Sequence, residues 1–218
     1  MPNVYRYSTD LLVDALKPFV EKGLTSMLIF GIINDNEKDP LGKYAGGRKV
    51  RSAVHVALNV LRKAFSELML ITDVCLCAYT SHGHCGILTQ NDELDNQASI
   101  ERLAEVALSH VEEGAHMVAP SDMMNGRVLA IKEKLLKHGH RIPVIAYSSK
   151  FCSALYGPFR DVCKSAPSKF DRSSYQLPVG SLELALKAVE RDLNEGADFV
   201  MVKPITPYLD VVSKIKQK

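Results

Sequence analysis

Three cysteines fall within the segment DVCLCAYTSHGHCG, residues 73–86. Cys75 and Cys77 are two residues apart, so on an extended strand end they face the same side, and Cys85 returns after a short loop. Thiolates are soft ligands that select zinc among the common divalent ions. Three protein ligands leave a fourth position for water or substrate, which is typical of catalytic zinc. The spacing therefore predicts a catalytic zinc site.

Two histidines in the same segment leave a second interpretation open. A closed, structural zinc site would be completed by His82 or His84. His84, directly before Cys85, is a candidate metal ligand or a partner that orients one.

Two lysines each end a run of apolar residues, Lys150 in AYSSKF and Lys203 in VMVKPITPYLD. Partial burial disfavours the charged ammonium group and lowers its pKa, and two converging amines lower each other's pKa further. A neutral lysine attacks carbonyls and forms a Schiff base. A lone lysine at a strand end more often only extends its amine to solvent. Two of them beside a three-cysteine site favour the reactive interpretation.

A long segment, about residues 151–178, contains three prolines and several serines and reads as a loop. Loops of this length in compact domains are usually lids or binding loops. Its Arg160 and Arg172 could hold a substrate carboxylate in bidentate fashion, or could be two solvated charges.

Composition excludes several classes of protein. The 218 residues are 46% hydrophobic and 24% charged, which is ordinary for a globular domain. The net charge of +2 argues against nucleic-acid binding. No apolar run is long enough to span a membrane, and the N-terminus lacks the pattern of a secretory signal. Five cysteines, an odd number, indicate a reducing compartment, and we expect a cytoplasmic protein.

An amphipathic helix that ends at a glycine and precedes a short apolar run recurs three times along the chain. With two further apolar runs, the pattern predicts five buried parallel strands, centred near residues 29, 71, 118, 145 and 201. The reactive residues follow these strands, as at the active face of a TIM barrel. We therefore predict an α/β, (β/α)8 TIM-barrel fold in a single, partial domain over residues 1–218, with about five of the eight units present.

Five segments carry a resemblance to a known family: DVCLCAYTSHGHCG, VAPSDMMNGRV, SSKFCSALYGPFRD, DRSSYQLP and VMVKPITPYLD. In this order and spacing the chain, from residue 1 to residue 218, resembles the δ-aminolevulinic acid dehydratase (porphobilinogen synthase) family. The resemblance implies a TIM-barrel homo-octamer. Its reaction condenses two 5-aminolevulinate molecules, with loss of two waters, to porphobilinogen for haem synthesis.

The resemblance also implies roles for individual residues. Lys203 would form the Schiff base with one substrate, and Lys150 would bond or polarise the ketone of the other. Ser121 and Asp122 would line the site, with Asp122 assisting proton transfer.

The remaining residues would bind metal and carboxylate. The implied zinc ligands are Cys75, Cys77 and Cys85, with His84 beside them. The implied carboxylate ligands are Arg160, Arg172 and Gln176, on a lid of about residues 151–178.

By the same resemblance, family segments that precede residue 1 and follow residue 218 are absent. We therefore expect this chain alone to be poorly soluble or inactive, since an open remnant exposes sheet edges and apolar core. Two alternatives stay open. One is a truncated relative or isoform that binds zinc or associates with full-length subunits without catalysis. The other is an unrelated class I aldolase on a similar barrel.

Overall fold

The structure is a computed structural model that describes residues 4–47 and 49–217. Its helices are α1 Leu12–Val20, α2 Ala53–Ala64, α3 Asn96–Glu112, α4 Arg127–Lys137, α5 Gly157–Val162, α6 Leu182–Asn194 and α7 Leu209–Lys216. Its strands are β1 Ser26–Ile29, β2 Met69–Val74, β3 Ile87–Leu88, β4 Leu94–Asp95, β5 Met117–Pro120, β6 Ile145–Lys150 and β7 Phe199–Lys203.

Five parallel strands form the frame of the molecule in the order β1, β2, β5, β6, β7. The strands β1, β2 and β5 pair in parallel, and so do β6 and β7. A single parallel bridge between Val118 and Val144 joins β5 to the start of β6. Sequential parallel strands with intervening helices are the βα units of a TIM barrel, so the predicted fold class is confirmed.

The hydrophobic core lies between these strands and the helices packed on them. All four residues of β5 are buried, which explains why its sequence reads as a continuous apolar run. The largest core cluster joins the ends of β2 and β5 to α3 and α4, and a second one joins α2 to β1 and β2. In the described part of the chain, no helix is long and apolar enough to cross a membrane.

All five predicted strands are present, and one feature was missed. Strands β3 and β4 form a two-stranded antiparallel hairpin of two residues each. Elements this short carry no periodicity that a sequence could display. Strand β2 also ends at Val74, before Cys75 and Cys77, so both cysteines belong to the loop that follows the strand.

A buried arginine links α4, α6 and the loop after β5. Arg127 is fully buried, and its guanidinium donates to both carboxylate oxygens of Asp192 at 2.9 and 3.2 Å. Its Nε lies 3.6 Å from Asp122. It also donates to the carbonyl oxygens of Met124 and Tyr147, at 3.2 Å each. Arg127 thus fixes the backbone on either side of the strand ends that carry the reactive residues.

We expect Asp192→Asn to lower the free energy of unfolding by about 3–5 kcal/mol, because it leaves the buried Arg127 without its closest counter-ion. Urea denaturation measures this difference. The control Glu183→Gln removes a fully exposed ion pair with Lys187, and its denaturation midpoint should match that of the wild type. Equal midpoints for Asp192→Asn and the wild type would contradict the structural role of Arg127.

Candidate active site

The carboxyl ends of β6 and β7 bring two lysines side by side. Lys150 and Lys203 are register partners on these parallel strands, so both side chains leave the same face of the sheet. Both amines also approach the ring of Tyr147, at 5.6 Å for Lys150 and 5.3 Å for Lys203. The two lysines, 53 positions apart in the sequence, therefore share one site.

The Lys203 amine is enclosed by aromatic rings. Its Nζ lies 4.4 Å from the centre of the Phe159 ring and 5.6 Å from that of Tyr156. Burial lowers the pKa of Lys203, and the neighbouring charge of Lys150 lowers it further. A lowered pKa increases the fraction of neutral, nucleophilic amine near pH 7.

Lys150 is buried, and its Nζ donates to the carbonyl oxygen of Ser121. The strand end of β2 adds a carboxylate here, since Asp73 lines the same cleft as the two lysines. Burial raises the pKa of Asp73 to about 6, against the opposing effects of the Ser121 hydroxyl and the two ammonium groups. Such a carboxyl group can exchange a proton near neutral pH.

We expect Lys150→Met to shift the titration of the Lys203 amine to higher pH, because it removes the like charge that disfavours protonation of Lys203. Lys203 would then be more fully protonated at pH 7, and its reaction with carbonyls would slow there. NMR of reductively ¹³C-methylated lysines measures the titration directly. Lys187→Met, which changes a fully exposed lysine, is the control. An unchanged or lower Lys203 midpoint in Lys150→Met would contradict the coupling.

The loop after β2 gathers three thiols. The sulfur atoms of Cys75, Cys77 and Cys85 all lie within 4.8 Å of one another, and those of Cys75 and Cys77 are 3.4 Å apart. Hydrogen bonds from the other two thiols lower the pKa of Cys85 well below its usual range, and the charges of Arg172 and Lys150 act in the same direction. At least one thiol of the cluster, that of Cys85, therefore ionises easily.

These thiols fit a metal ion. Zinc–sulfur bonds of about 2.3 Å in a tetrahedral site place the sulfurs roughly 3.8 Å apart, which is close to the spacing seen here. Cys75 and Cys77 also line the cleft that contains the lysines. A bound ion would thus lie beside the two amines, with three protein ligands and an open position.

His84 is not part of this three-thiol group, and both of its ring nitrogens face other partners. Its Nε2 is 2.8 Å from the carbonyl oxygen of Lys169, which can only accept, so Nε2 carries the proton. Its Nδ1 is 3.1 Å from the hydroxyl of Tyr175. Both ring nitrogens are therefore occupied. The structure describes three thiol ligands and no histidine in this group.

The segment predicted as a lid contributes both arginines to the cleft. It contains α5, which carries Arg160, so it is not wholly a loop. The Nε of Arg160 is buried and has no acceptor among the described residues, and its guanidinium lies 5.6 Å from the centre of the Tyr156 ring. Arg172 is buried and donates to the carbonyl oxygens of Gly83 and Ser165. Arg160 is therefore the freer of the two cations.

The remaining candidates differ in their access to the cleft. Ser121 lines it, whereas Asp122 and Gln176 do not line it in the described structure. Asp122 is fully buried and faces Arg127, and burial raises its pKa to about 7. Gln176 is buried, with both polar side-chain atoms unpartnered among the described residues. Asp122 is therefore separated from the cleft, whereas its neighbour Ser121 lines it.

The cleft is narrow and open to solvent on one side, and the space that water can occupy between its walls is about 30 Å³. The sequence patterns assigned no role to Asp73 or to the aromatic residues that line the cleft. Asp73 could have been found as a carboxylate inside an apolar strand run. Phe30 and Phe159, whose ring centres are 5.3 Å apart, carried no such signal.

Fold and site together define a class: a TIM-barrel protein with a pair of lysines beside a cluster of three thiols that could hold a metal ion, at the carboxyl ends of its strands. A family model described as delta-aminolevulinic acid dehydratase matches residues 1–218. The chain belongs to the delta-aminolevulinic acid dehydratase family.

Individual relatives agree with this assignment. The Bos taurus protein named delta-aminolevulinic acid dehydratase is 51% identical over 100% of this chain and 66% of its own length. The protein of the same name from Dictyostelium discoideum is 48% identical over 99% of this chain and 65% of its own length.

A solved structure matches as well. The crystal structure of delta-aminolevulinic acid dehydratase (porphobilinogen synthase) from Toxoplasma gondii ME49, in complex with the reaction product porphobilinogen, superposes with a TM-score of 0.95. The two sequences are 34% identical, and the match covers 100% of this chain and 62% of that chain. The chain thus spans slightly less than two thirds of the length of the relatives it matches.

Proposed function

We propose that this chain carries the active site of a porphobilinogen synthase, a hydro-lyase that condenses two molecules of 5-aminolevulinate to porphobilinogen with loss of two waters. The observation that carries the proposal is the single cleft lined by Lys150, Lys203, Cys75 and Cys77. Family membership suggests the substrate, and the geometry supplies two amines in one cleft.

Lys203 forms the Schiff base. Its neutral Nζ attacks the ketone carbon of one substrate, and the carbinolamine loses water to give an iminium ion that draws electrons from the adjacent carbon. Departure of hydroxide requires a proton, and loss of a proton from that carbon requires a base. Asp73, with a pKa of about 6 and one buried carboxylate oxygen unpartnered among the described residues, is suited to both transfers.

Lys150, whose amine lies near the Tyr147 ring as that of Lys203 does, bonds or polarises the second ketone. The carboxylate of this substrate binds to Arg160 and Arg172, and Gln176 adds amide contacts if the segment shifts. We propose that residues 151–178 act as a lid, because the segment brings Arg160 and Arg172 to the cleft and also carries Gln176. Fixed cations orient the substrate, and such alignment can lower a barrier by several kcal/mol.

Cys75, Cys77 and Cys85 hold zinc in this proposal. When bound, zinc supplies Lewis acidity toward a substrate oxygen beside the amines. The buried charge of Arg172 favours the thiolate form that binding requires. The carbonyl oxygen of Ser121 accepts a hydrogen bond from the Lys150 amine and so orients it. Asp122 does not reach the cleft. It acts indirectly, through its ion pair with Arg127 and its hydrogen bond from the Met124 N–H.

Incubation of the zinc-loaded chain with 5-aminolevulinate, followed by borohydride reduction and mass spectrometry, tests the proposal. A covalent adduct of one substrate is expected. Colorimetric assay for porphobilinogen tests turnover in the same sample. Zinc binding without any adduct would instead support the alternative, a non-catalytic relative that binds zinc or associates with longer subunits. An adduct with other keto acids but none with 5-aminolevulinate would favour an aldolase.

We further propose that the protein is cytoplasmic and assembles as a homo-octamer. All five cysteines are free thiols, which agrees with a reducing compartment. The octamer follows from family membership, and native mass spectrometry measures it.

A further inference from the structure

A chain of hydrogen bonds connects the third cysteine to the segment that carries Arg172 and Gln176. The backbone N–H of Cys85 donates to the Tyr175 hydroxyl oxygen at 3.3 Å. The same oxygen lies 3.1 Å from Nδ1 of His84, whose Nε2 reaches the Lys169 carbonyl oxygen at 2.8 Å. Tyr175 and Lys169 belong to the predicted lid, so each of these three contacts joins one loop to the other.

The direction of each bond follows from the chemistry of the groups. The Lys169 carbonyl oxygen only accepts, so Nε2 of His84 carries the proton and the neutral ring offers a lone pair at Nδ1. The Tyr175 hydroxyl oxygen accepts from the Cys85 N–H, and its own proton can reach Nδ1 of His84. The hydroxyl thus contacts Cys85 and His84 at the same time.

The backbones of the two loops are also in direct contact. Ser168 donates its N–H to the His82 carbonyl oxygen at 3.0 Å, and a Cβ at Gly83 would lie 2.3 Å from the Ala166 carbonyl oxygen. Arg172 donates to the carbonyl oxygen of Gly83 at 3.0 Å. Contact this close leaves little room for one loop to move without the other.

We propose that Tyr175 and His84 are positioning residues that couple metal occupancy at Cys85 to the placement of Arg172 and Gln176. The proposal rests on the proposed function for the identity of the metal and of the carboxylate ligand. A bound ion fixes Cys85, whose N–H then holds Tyr175, and Tyr175 lies three residues after Arg172 and directly before Gln176. Metal binding at the three thiols would therefore place Arg172 and Gln176 for contact with the substrate carboxylate.

Hydrogen–deuterium exchange of the full chain, with zinc and after chelation, tests the coupling without relying on activity. In the wild type, zinc is expected to slow exchange in peptides covering residues 73–86 and also residues 165–176. Tyr175→Phe keeps the ring and removes the hydroxyl, so the response of residues 165–176 should fall roughly fivefold, as for the loss of one or two net hydrogen bonds. In the same variant, zinc should still slow exchange at residues 73–86.

Two further variants make the result specific. His84→Asn removes the ring on the other side of the Tyr175 hydroxyl and should reproduce the loss at residues 165–176. Tyr208→Phe alters a buried tyrosine whose ring stacks on Phe151 at 3.7 Å, away from the thiol loop, and should behave like the wild type. Thermal melts identify any variant that fails to fold.

The outcomes separate this inference from the proposed function. If the wild-type chain binds no zinc, the proposed metal centre fails. Two results would overturn the coupling while leaving the proposed metal centre intact. In the first, zinc binds without changing the exchange rate of residues 165–176. In the second, the change in Tyr175→Phe equals that in the wild type. In the active protein, Tyr175→Phe should raise KM for 5-aminolevulinate more than it lowers kcat. The reverse would contradict a positioning role toward the carboxylate site.

Discussion

Lys203→Gln should reduce the borohydride-trapped adduct with 5-aminolevulinate by at least about 10³-fold, because it removes the group that forms the covalent bond. The Lys203 amine is the one most enclosed by aromatic rings, with Phe159 at 4.4 Å, and burial lowers its pKa. A glutamine has similar length and no nucleophilic nitrogen. Mass spectrometry of the reduced protein gives the yield, and peptide mapping gives the modified position.

Lys187→Gln is the matched control for this experiment. Lys187 is exposed and pairs with Glu183 on α6, so its replacement should leave the adduct yield unchanged. An adduct on Lys150 that persists at the wild-type yield in Lys203→Gln would assign the Schiff base to the other lysine. In the wild type, an adduct at neither lysine would contradict the proposed Schiff-base chemistry.

Cys85→Ser should weaken zinc binding by more than about 100-fold, since mutation of groups that merely support a ligand already costs 10–100-fold. Cys85 is the most acidic thiol of the cluster, because both neighbouring thiols and Arg172 stabilise its thiolate. Serine keeps the size of the side chain but does not ionise near neutral pH. Competition with a chromophoric chelator measures the affinity.

Cys163→Ser is the corresponding control. Cys163 is a buried thiol that lines the same cleft but lies outside the three-thiol cluster. Its replacement should leave zinc affinity unchanged. A comparable loss in both variants would point to a general effect on the cleft and contradict the assignment of Cys85. Zinc affinity of the wild type should also fall on acidification, because the thiolates must lose their protons to bind.

Much of the fold could be predicted because parallel strands and amphipathic helices have distinct periodicities. Runs such as the one around β5 are apolar throughout because both faces of the strand are buried. The glycines after α1, α3 and α6, Gly23, Gly114 and Gly196, have φ of 98°, 107° and 99°, which marks the helix ends in the sequence. The hairpin of β3 and β4 is too short to leave such a pattern.

The sequence by itself determined which residue types stand at the ends of the barrel strands, since strand periodicity and the three-cysteine spacing are local properties of the chain. Family membership likewise followed from the order of its motifs. Only the tertiary structure decided which of these side chains meet. Lys150 and Lys203 share a cleft because of the register between β6 and β7.

Contacts across large sequence separations decided the rest. His84 contacts the Tyr175 hydroxyl, 91 positions away, and a carbonyl oxygen 85 positions away, so both of its ring nitrogens have partners. Asp122, in the loop after β5, faces Arg127, whereas Asp73, the next-to-last residue of β2, lines the cleft. The physical reason is that a side chain's direction beyond a strand end depends on how the following loop packs, and that packing is set by distant residues.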